Sequence, residues 1–222
     1  HVKIIQSLVP IFAALFLGFL LESCEDKKKE TFDLISNAPY AGYLYLCTRA
    51  TESKEGRLVM RYNNSEQEVS HIGIAFSLPE EGEIYNMYYD KKHQLSNDLV
   101  KENNQQFFVS DQAQNNKIWA IPVTKEEYEN ALHYLNAAHQ RSVQFDFEID
   151  TTNDEELYCS ELVYNILVAA NAKRFALETS TSKLKKLEYL IMKKEEVSYY
   201  PVDFFLSYPD VIPIDFEYSK ES

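Results

Sequence analysis

The chain has 222 residues, of which 45% are hydrophobic and 14% aromatic, and this composition excludes a generally disordered protein. The formal net charge of −13 argues against nucleic acid or an anionic membrane surface as a partner, because both would repel the chain. Only 5 glycines are present, so a glycine-rich phosphate-binding loop is not expected.

The N-terminal segment has the features of a secretory signal. Lys3 precedes an apolar run at 8–21, which is short for a membrane-spanning helix. The run ends in Leu-Glu-Ser-Cys, which resembles a bacterial lipobox whose cysteine, Cys24, would carry lipid after cleavage. The alternative is an N-terminal helix with a coincidental cysteine. We predict a lipoprotein signal peptide at 1–23, a polar tether at 24–34, and a lipid-anchored protein in the bacterial cell envelope, facing the periplasm or the cell exterior.

Residues 35–218 are predicted to form a single α+β domain. Alternating tyrosine and aliphatic residues predict a strand at 42–50, followed by polar, loop-like sequence. Two further strands at 69–78 and 83–90 are joined by Pro-Glu-Glu-Gly, so we expect a β-hairpin whose facing residues are neighbours in space. Residues 91–116 are polar and predict a loop with a short strand or turn.

The second half of the domain contains clearer helical signals. After a strand at 117–123, Thr124 and Glu127 predict a capping box at the start of an amphipathic helix. Residues 143–156 predict a strand followed by an acidic loop. Residues 180–196 are predicted to form a further helix or half-helix.

Cys159 lies at the predicted start of another helix, with Asn153 or Asp154 as its cap. A thiol in the first helical turn lies near the positive end of the helix dipole, which lowers its pKa. Neighbouring acids act against this, so an additional cation such as an imidazolium would be needed to stabilise a thiolate. Four interpretations stay open, namely nucleophile, metal ligand, core thiol, and disulfide partner of Cys47 in an oxidising periplasm. No paired His or Cys spacing supports a metal site, and we expect neither a metal nor a cofactor.

A nucleophilic cysteine needs a base, which is usually a histidine. His71 begins a hydrophobic strand beside Gly73, an unusual position for an imidazole, and is the strongest candidate. His133 and His139 lie on the predicted capped helix and are interpreted as surface residues, while His93 lies in a polar loop. A strand-end histidine that binds solvent is the alternative interpretation of His71.

The motifs HIGIAF, FDFEID and LYCSELVYNIL together resemble the circularly permuted branch of the NlpC-type papain-like hydrolases, in particular the YiiX/YaeF-like group. The resemblance covers about residues 42–205. It implies a permuted papain-like fold, a small antiparallel sheet packed against helices, with Cys159 as nucleophile and His71 as base. The group often has a glutamate on the strand after the histidine. Here Asn86 and Tyr88 share one face of that strand, and both are candidates for the third site residue.

The resemblance implies a cell-envelope cysteine hydrolase, an amidase or peptidase, that acts on an amide or peptide bond, with cell-wall peptide as the implied substrate. One alternative is a lipid acyl hydrolase or acyltransferase of the same superfamily. Another is a catalytically impaired protein that binds peptide or lipid. The expected partners are therefore a peptide, a cell-wall fragment or an acyl lipid, together with the membrane through the N-terminal anchor, and no nucleic acid.

Overall fold

The computed structural model describes residues 39–80, 82–89, 98–109, 113–185 and 193–215. All of them belong to the second of the two units into which the chain divides, Asp33–Ser222. The proposed signal peptide, the tether, Cys24 and His93 lie outside the described residues, so the lipoprotein prediction stays a prediction. None of the helices in the described ranges is long and apolar enough to cross a membrane.

The described residues form strands and helices that are numbered here in chain order. The strands are β1 (Tyr43–Thr51), β2 (His71–Ala75), β3 (Ile84–Met87), β4 (Leu99–Glu102), β5 (Ala113–Pro122), β6 (Gln144–Phe145), β7 (Glu156–Leu157), β8 (Ser180–Lys183), β9 (Glu196–Tyr199) and β10 (Ile212–Ile214). The α-helices are α1 (Lys54–Met60), α2 (Asn104–Phe108), α3 (Lys125–Arg141) and α4 (Cys159–Phe175), and a 3₁₀ helix spans Phe204–Ser207.

One sheet of six strands, in the order β10-β5-β1-β2-β3-β4, organises the described part of the chain. Every neighbouring pair in it is antiparallel, and α4 packs against β2 and β3. The predicted α+β class with an antiparallel sheet against helices is therefore confirmed. β1 lies between β5 and β2 and is buried from Leu44 to Ala50. Its register places Arg49 opposite His71, so a charged residue is buried beside the candidate base.

The predicted hairpin is confirmed, although its strands are shorter than the alternation of residues suggests. β2 and β3 pair with Ile74 opposite Tyr85 and Ala75 opposite Ile84. β3 ends at Met87, and the next backbone N–H, that of Tyr88, donates to Asp98 O at 2.8 Å. The hairpin therefore brings the His71 strand alongside β3, which carries Asn86 and is followed directly by Tyr88.

The capping box of α3 is confirmed in both directions. Thr124 Oγ1 accepts from the Glu127 N–H at 3.2 Å, and the Glu127 carboxylate accepts from the Thr124 N–H at 2.8 Å. The predicted apolar face is buried at Tyr128, Ala131, Leu135 and Ala138. Because α3 packs against α4, this face supports the helix that begins at Cys159.

Two segments differ from their prediction. The loop expected after β1 contains α1, because the Ser53 side chain accepts the Gly56 N–H at 2.9 Å and caps a short helix. The prediction of a helix at 180–196 is wrong over 180–183. There β8 pairs with β9 and places Ser180 opposite Tyr199. A local capping hydrogen bond stabilises the helix in the first segment, and pairing with a distant strand outweighs helical periodicity in the second.

The polar segment 91–116 contains more regular structure than predicted in its described part. β4 pairs with β3, and α2 follows with its own capping box between Asn103 and Gln106. The helix buries Phe107 and Phe108, the apolar residues of an otherwise polar stretch. This segment supplies two side chains to the candidate site, from the end of β4 and from α2.

Candidate active site

Cys159 is the first residue of α4, as predicted. Tyr158 is the N-cap and makes no side-chain cap hydrogen bond. A carboxyl oxygen of Glu161 accepts the Tyr158 N–H instead. The predicted caps, Asn153 and Asp154, are wrong, because β7 lies between that acidic loop and the helix.

The Cys159 sulfur lies against the strand that carries His71. It accepts hydrogen bonds from the backbone N–H groups of Ile72, Ser160 and Cys159 itself, and Ile72 directly follows His71 in β2. Burial raises the pKa of the thiol, while these N–H groups and the Arg49 guanidinium lower it only in part. The resting residue is therefore a neutral thiol near pH 7, whereas the helix dipole alone predicts a lowered pKa.

His71 is held by a chain of side-chain hydrogen bonds. Its Nε2 lies 3.0 Å from Asn86 Oδ1, and Asn86 Nδ2 donates to Glu102 Oε2 at 2.8 Å. An ionised carboxylate can only accept, so Glu102 orients the Asn86 amide with its oxygen towards His71. His71 Nε2 therefore carries the proton, and Nδ1 keeps the lone pair that a general base needs.

His71 is also kept neutral by its surroundings. Burial lowers its pKa, the positive charge of Arg49 lowers it further, and the Asn86 hydrogen bond acts in the opposite direction. Together these effects lower the pKa of His71 from 6.5 to about 3. With the neutral thiol of Cys159, this gives two groups that are both neutral near pH 7.

Gly73 makes room for the third residue of the arrangement. A Cβ at this position would lie 3.2 Å from Asn86 Cβ and 2.7 Å from Ile84 Cγ2, which is closer than side chains pack. The glycine therefore permits the buried Asn86 to lie beside β2 and reach His71. This gives a physical reason for the His-hydrophobic-Gly pattern of the strand.

The structure distinguishes between Asn86 and Tyr88, the two candidates for the third site residue. Asn86 is fully buried and contacts His71 directly. Tyr88 follows the end of β3 and is 45% exposed, and its charge interaction is with Arg49. Asn86 is thus the candidate that the geometry connects to the imidazole.

The remaining candidates take no part in this arrangement. On α3, His133 is exposed and His139 is half-buried. Both cysteines of the described ranges, Cys47 and Cys159, are buried and free, so the alternative of a disulfide between them is not formed.

Three side chains near the site were not predicted from the sequence: Arg49, Glu102 and Phe107. The Arg49 guanidinium carbon lies 4.6 Å from the Phe107 ring centroid, and the Phe107 and His71 rings lie 5.6 Å apart. An arginine inside an otherwise apolar, alternating strand was a detectable signal, since such residues are seldom buried without a role. Glu102 and Phe107 follow from strand register and helix packing, for which the local sequence has no comparable signal.

Comparisons with known proteins support the fold. Neither a family model nor a curated protein sequence matches the chain. Among solved structures, the chain is similar to the metalloprotein YiiX from Escherichia coli O157:H7, DUF1105, with a TM-score of 0.51 and 14% identity over 79% of this chain and 97% of that chain. At this identity the likeness shows the fold alone, and it confirms the predicted YiiX-like fold at that level.

That neighbour is a metalloprotein. Within the described ranges, no three His, Cys, Asp or Glu side chains form a group that could hold a metal ion. The donors that such a site requires are therefore not grouped in the part of the chain that the structure describes.

Proposed function

We propose that the chain is a cysteine hydrolase with a permuted papain-like arrangement, which acts on an amide or peptide bond. Cys159 is the nucleophile, His71 the general base and Asn86 the residue that orients the imidazole. The observation that carries the proposal is the hydrogen-bonded chain from Glu102 through Asn86 to His71. The residue that follows His71 in β2, Ile72, contacts the Cys159 sulfur through its backbone N–H.

The neutral resting pair defines the order of events. The Cys159 sulfur attacks the substrate carbonyl carbon as its proton passes to His71 Nδ1, and the carbonyl π electrons move to oxygen. Backbone N–H groups at the start of α4 stabilise this oxyanion. The C–N bond then breaks, and the amine leaves with the proton from His71, so that a thioester remains on Cys159.

Water completes the cycle. His71 Nδ1 accepts a proton from the water as its oxygen attacks the thioester carbon. The C–S bond breaks, the acid product leaves, and the sulfur regains its proton from His71. In both attack steps His71 Nδ1 accepts a proton, and in both bond-breaking steps it returns that proton. The Asn86–Glu102 pair keeps Nδ1 available for this exchange, because it holds the other ring nitrogen, Nε2.

Cell-wall peptide in the bacterial envelope is the substrate we propose. The lipobox-like segment ending at Cys24 supports this location, because an anchor there would hold the domain beside the membrane and the wall. Both features are parts of the proposal.

A second candidate, a lipid acyl hydrolase or acyltransferase, is favoured by one observation. Phe147 is 58% exposed and contacts Tyr89 and Phe145, with ring centroids 4.7 and 5.0 Å away. Phe145 belongs to β6, which pairs with β7, the strand that precedes the N-cap residue of α4. An exposed aromatic ring on this segment suits an acyl chain.

Acylation of the full chain by p-nitrophenyl acetate tests the proposal, with mass spectrometry of the Cys159 peptide as the measurement. We expect a 1:1 acetyl adduct on Cys159 in the wild type. We also expect its formation to slow by roughly 100-fold in His71→Ala, because a general base contributes about that factor. His133→Ala, an exposed histidine on α3, is the control and should match the wild type.

Wall peptides and phospholipid vesicles then distinguish the substrates by product analysis. Ester cleavage confined to vesicles would support the lipid enzyme instead. Acylation that does not depend on His71 would overturn the proposed dyad. A Cys159 that is never acylated, in a chain that still binds wall peptide or vesicles, would support the impaired binding protein.

A further inference from the structure

Arg49 is a buried cation in the middle of the sheet. Arg49 is only 5% exposed to solvent. Nη1 donates to the Phe107 backbone oxygen, and the guanidinium stacks on the Phe107 ring. Nε is buried and makes no hydrogen bond to any described residue. An incompletely paired buried cation is destabilising. Stability therefore does not explain why an arginine stands at this position.

The titratable groups that interact electrostatically with Arg49 come from several elements. They are His71 of β2, Tyr88 after β3, Glu102 at the end of β4, and Cys159 of α4. Burial lowers the pKa of Arg49, whereas Glu102, Tyr88 and Cys159 stabilise its charge and raise that pKa. The guanidinium remains protonated at any pH that the protein meets, since its ordinary pKa is above 12.

Arg49 acts in the same direction on the pKa of both Cys159 and His71. Its positive charge lowers the pKa of the Cys159 thiol and lowers that of His71. With a pKa of about 3, His71 carries no positive charge before the proton leaves Cys159. Arg49 is a buried cation whose charge already acts on both residues in the resting state.

We propose that Arg49 is a positioning residue of the Cys159–His71 pair, whose fixed charge stabilises the developing thiolate and keeps His71 in its neutral, proton-accepting form. This inference rests on the proposed function. Phe107 holds the guanidinium in place, through its backbone oxygen and its ring, and the same ring contacts His71. The cross-strand register, which places Arg49 opposite His71, sets their relative position.

The test compares Arg49→Gln and Arg49→Lys with the wild type, in the full chain. One measurement is the rate of iodoacetamide alkylation of the Cys159 peptide as a function of pH. The other is the His71 pKa from NMR titration of its ring protons. Arg57→Gln is the control, because Arg57 is an exposed arginine in α1 and its removal changes the net charge equally.

For Arg49→Gln we expect Cys159 alkylation at pH 8 to slow about tenfold, because loss of a neighbouring cation raises a thiol pKa by roughly one unit. The His71 pKa should rise in the same variant. Arg49→Lys should keep most of the wild-type profile, and Arg57→Gln all of it. A purely structural role would leave the His71 pKa unchanged in folded Arg49→Gln, and that result would overturn the inference.

The wild type supplies a second test that does not depend on a folded variant. Salt screens exposed charges but has little effect on a buried one. The apparent pKa of Cys159 should therefore differ little between low salt and 1 M salt, and a clear rise in high salt would contradict a buried source. The two proposals fail differently: an unchanged profile in Arg49→Gln leaves the His71-dependent acylation intact, whereas loss of the proposed function appears as acylation that ignores His71.

Discussion

Two buried polar clusters in this protein differ in how well their charges are satisfied. At the junction of α3 and α4, Glu127 accepts from Thr124, Asn171 and Arg174, and Arg174 also binds Asp210. Burial acts against the charge of Glu127, but these partners hold its pKa below the ordinary value. This junction cluster therefore stabilises the ionised state of its carboxylate.

The site cluster around Cys159 shows the opposite balance. Burial raises the pKa of Cys159 and lowers that of His71, and neighbouring groups do not reverse either shift. Arg49 Nε has no hydrogen bond among the described residues. A cluster that keeps its titratable groups neutral and one cation incompletely paired is typical of a functional site, whereas complete pairing is typical of structural support.

Removal of Glu127 should have the largest effect on stability. In Glu127→Ala, α3 loses its capping box and Arg174 loses a buried partner, so we expect the free energy of unfolding to fall by about 3 kcal/mol. Urea denaturation measures this change, with the exposed neighbour Glu126→Ala as a control that should change little. The comparison would be wrong if Glu127→Ala slowed Cys159 acylation without lowering stability.

Gly73→Ala should affect both stability and the site. The added Cβ would crowd Ile84 and Asn86 at 2.7 and 3.2 Å, and we expect a loss of about 2 kcal/mol from overpacking together with slower acylation of Cys159. Gly42→Ala is the control for acylation, because no atom lies within 4 Å of its added Cβ; its φ of +90° makes a loss of stability expected there too. Unchanged acylation in Gly73→Ala would show that the position of Asn86 is not critical.

Asn86→Leu should impair chemistry more than stability. It removes the oxygen that holds His71 Nε2, so the imidazole loses its orientation and acylation of Cys159 should slow about tenfold. Tyr88→Phe, a change in the other candidate from the same strand face, should remain within about twofold of the wild type. Equal losses in the two variants would mean that strand geometry has not distinguished them.

Glu161→Gln should have the smallest effect, a change in pH dependence. Burial raises the pKa of Glu161 from 4.5 to about 8, and the charge of Asp146 adds to this shift. Because the folded chain binds this proton more tightly than the unfolded chain, protonated Glu161 stabilises the fold. This contribution is complete below pH 4.5 and is lost as the pH rises to about 8. The loss is no more than about 1.4 kcal/mol per pH unit for one proton.

Urea unfolding between pH 7.5 and 8.5 tests this carboxyl, because His71, with an ordinary pKa of 6.5 and a folded value of about 3, is largely neutral in both states there. The wild type should lose stability across that interval, and Glu161→Gln should be nearly flat. If the free energy of unfolding of the wild type did not change with pH over this interval, Glu161 would be ionised in the folded chain, as Glu127 of the junction cluster is.

Local patterns allowed several parts of the fold to be predicted. The capping box of α3, the β2–β3 hairpin and the helix start at Cys159 depend on residues close in sequence, and all three are confirmed. The predicted caps of α4 and the helix at 180–183 are wrong, because pairing with β6 and with β9 outweighed local propensity. The signal peptide, the anchor at Cys24 and the domain limits of 35–218 stay predictions.

The sequence by itself determined which residue types were available for chemistry: a thiol at a helix start, an imidazole at the start of a strand, and two polar residues on one strand face. Tertiary structure decided which of them meet and in which protonation state. Strand register placed Arg49 opposite His71 and brought Glu102 within reach of Asn86. Burial then reversed the expected pKa shift of Cys159, because desolvation depends on what the folded chain packs around a group and not on its neighbours in sequence.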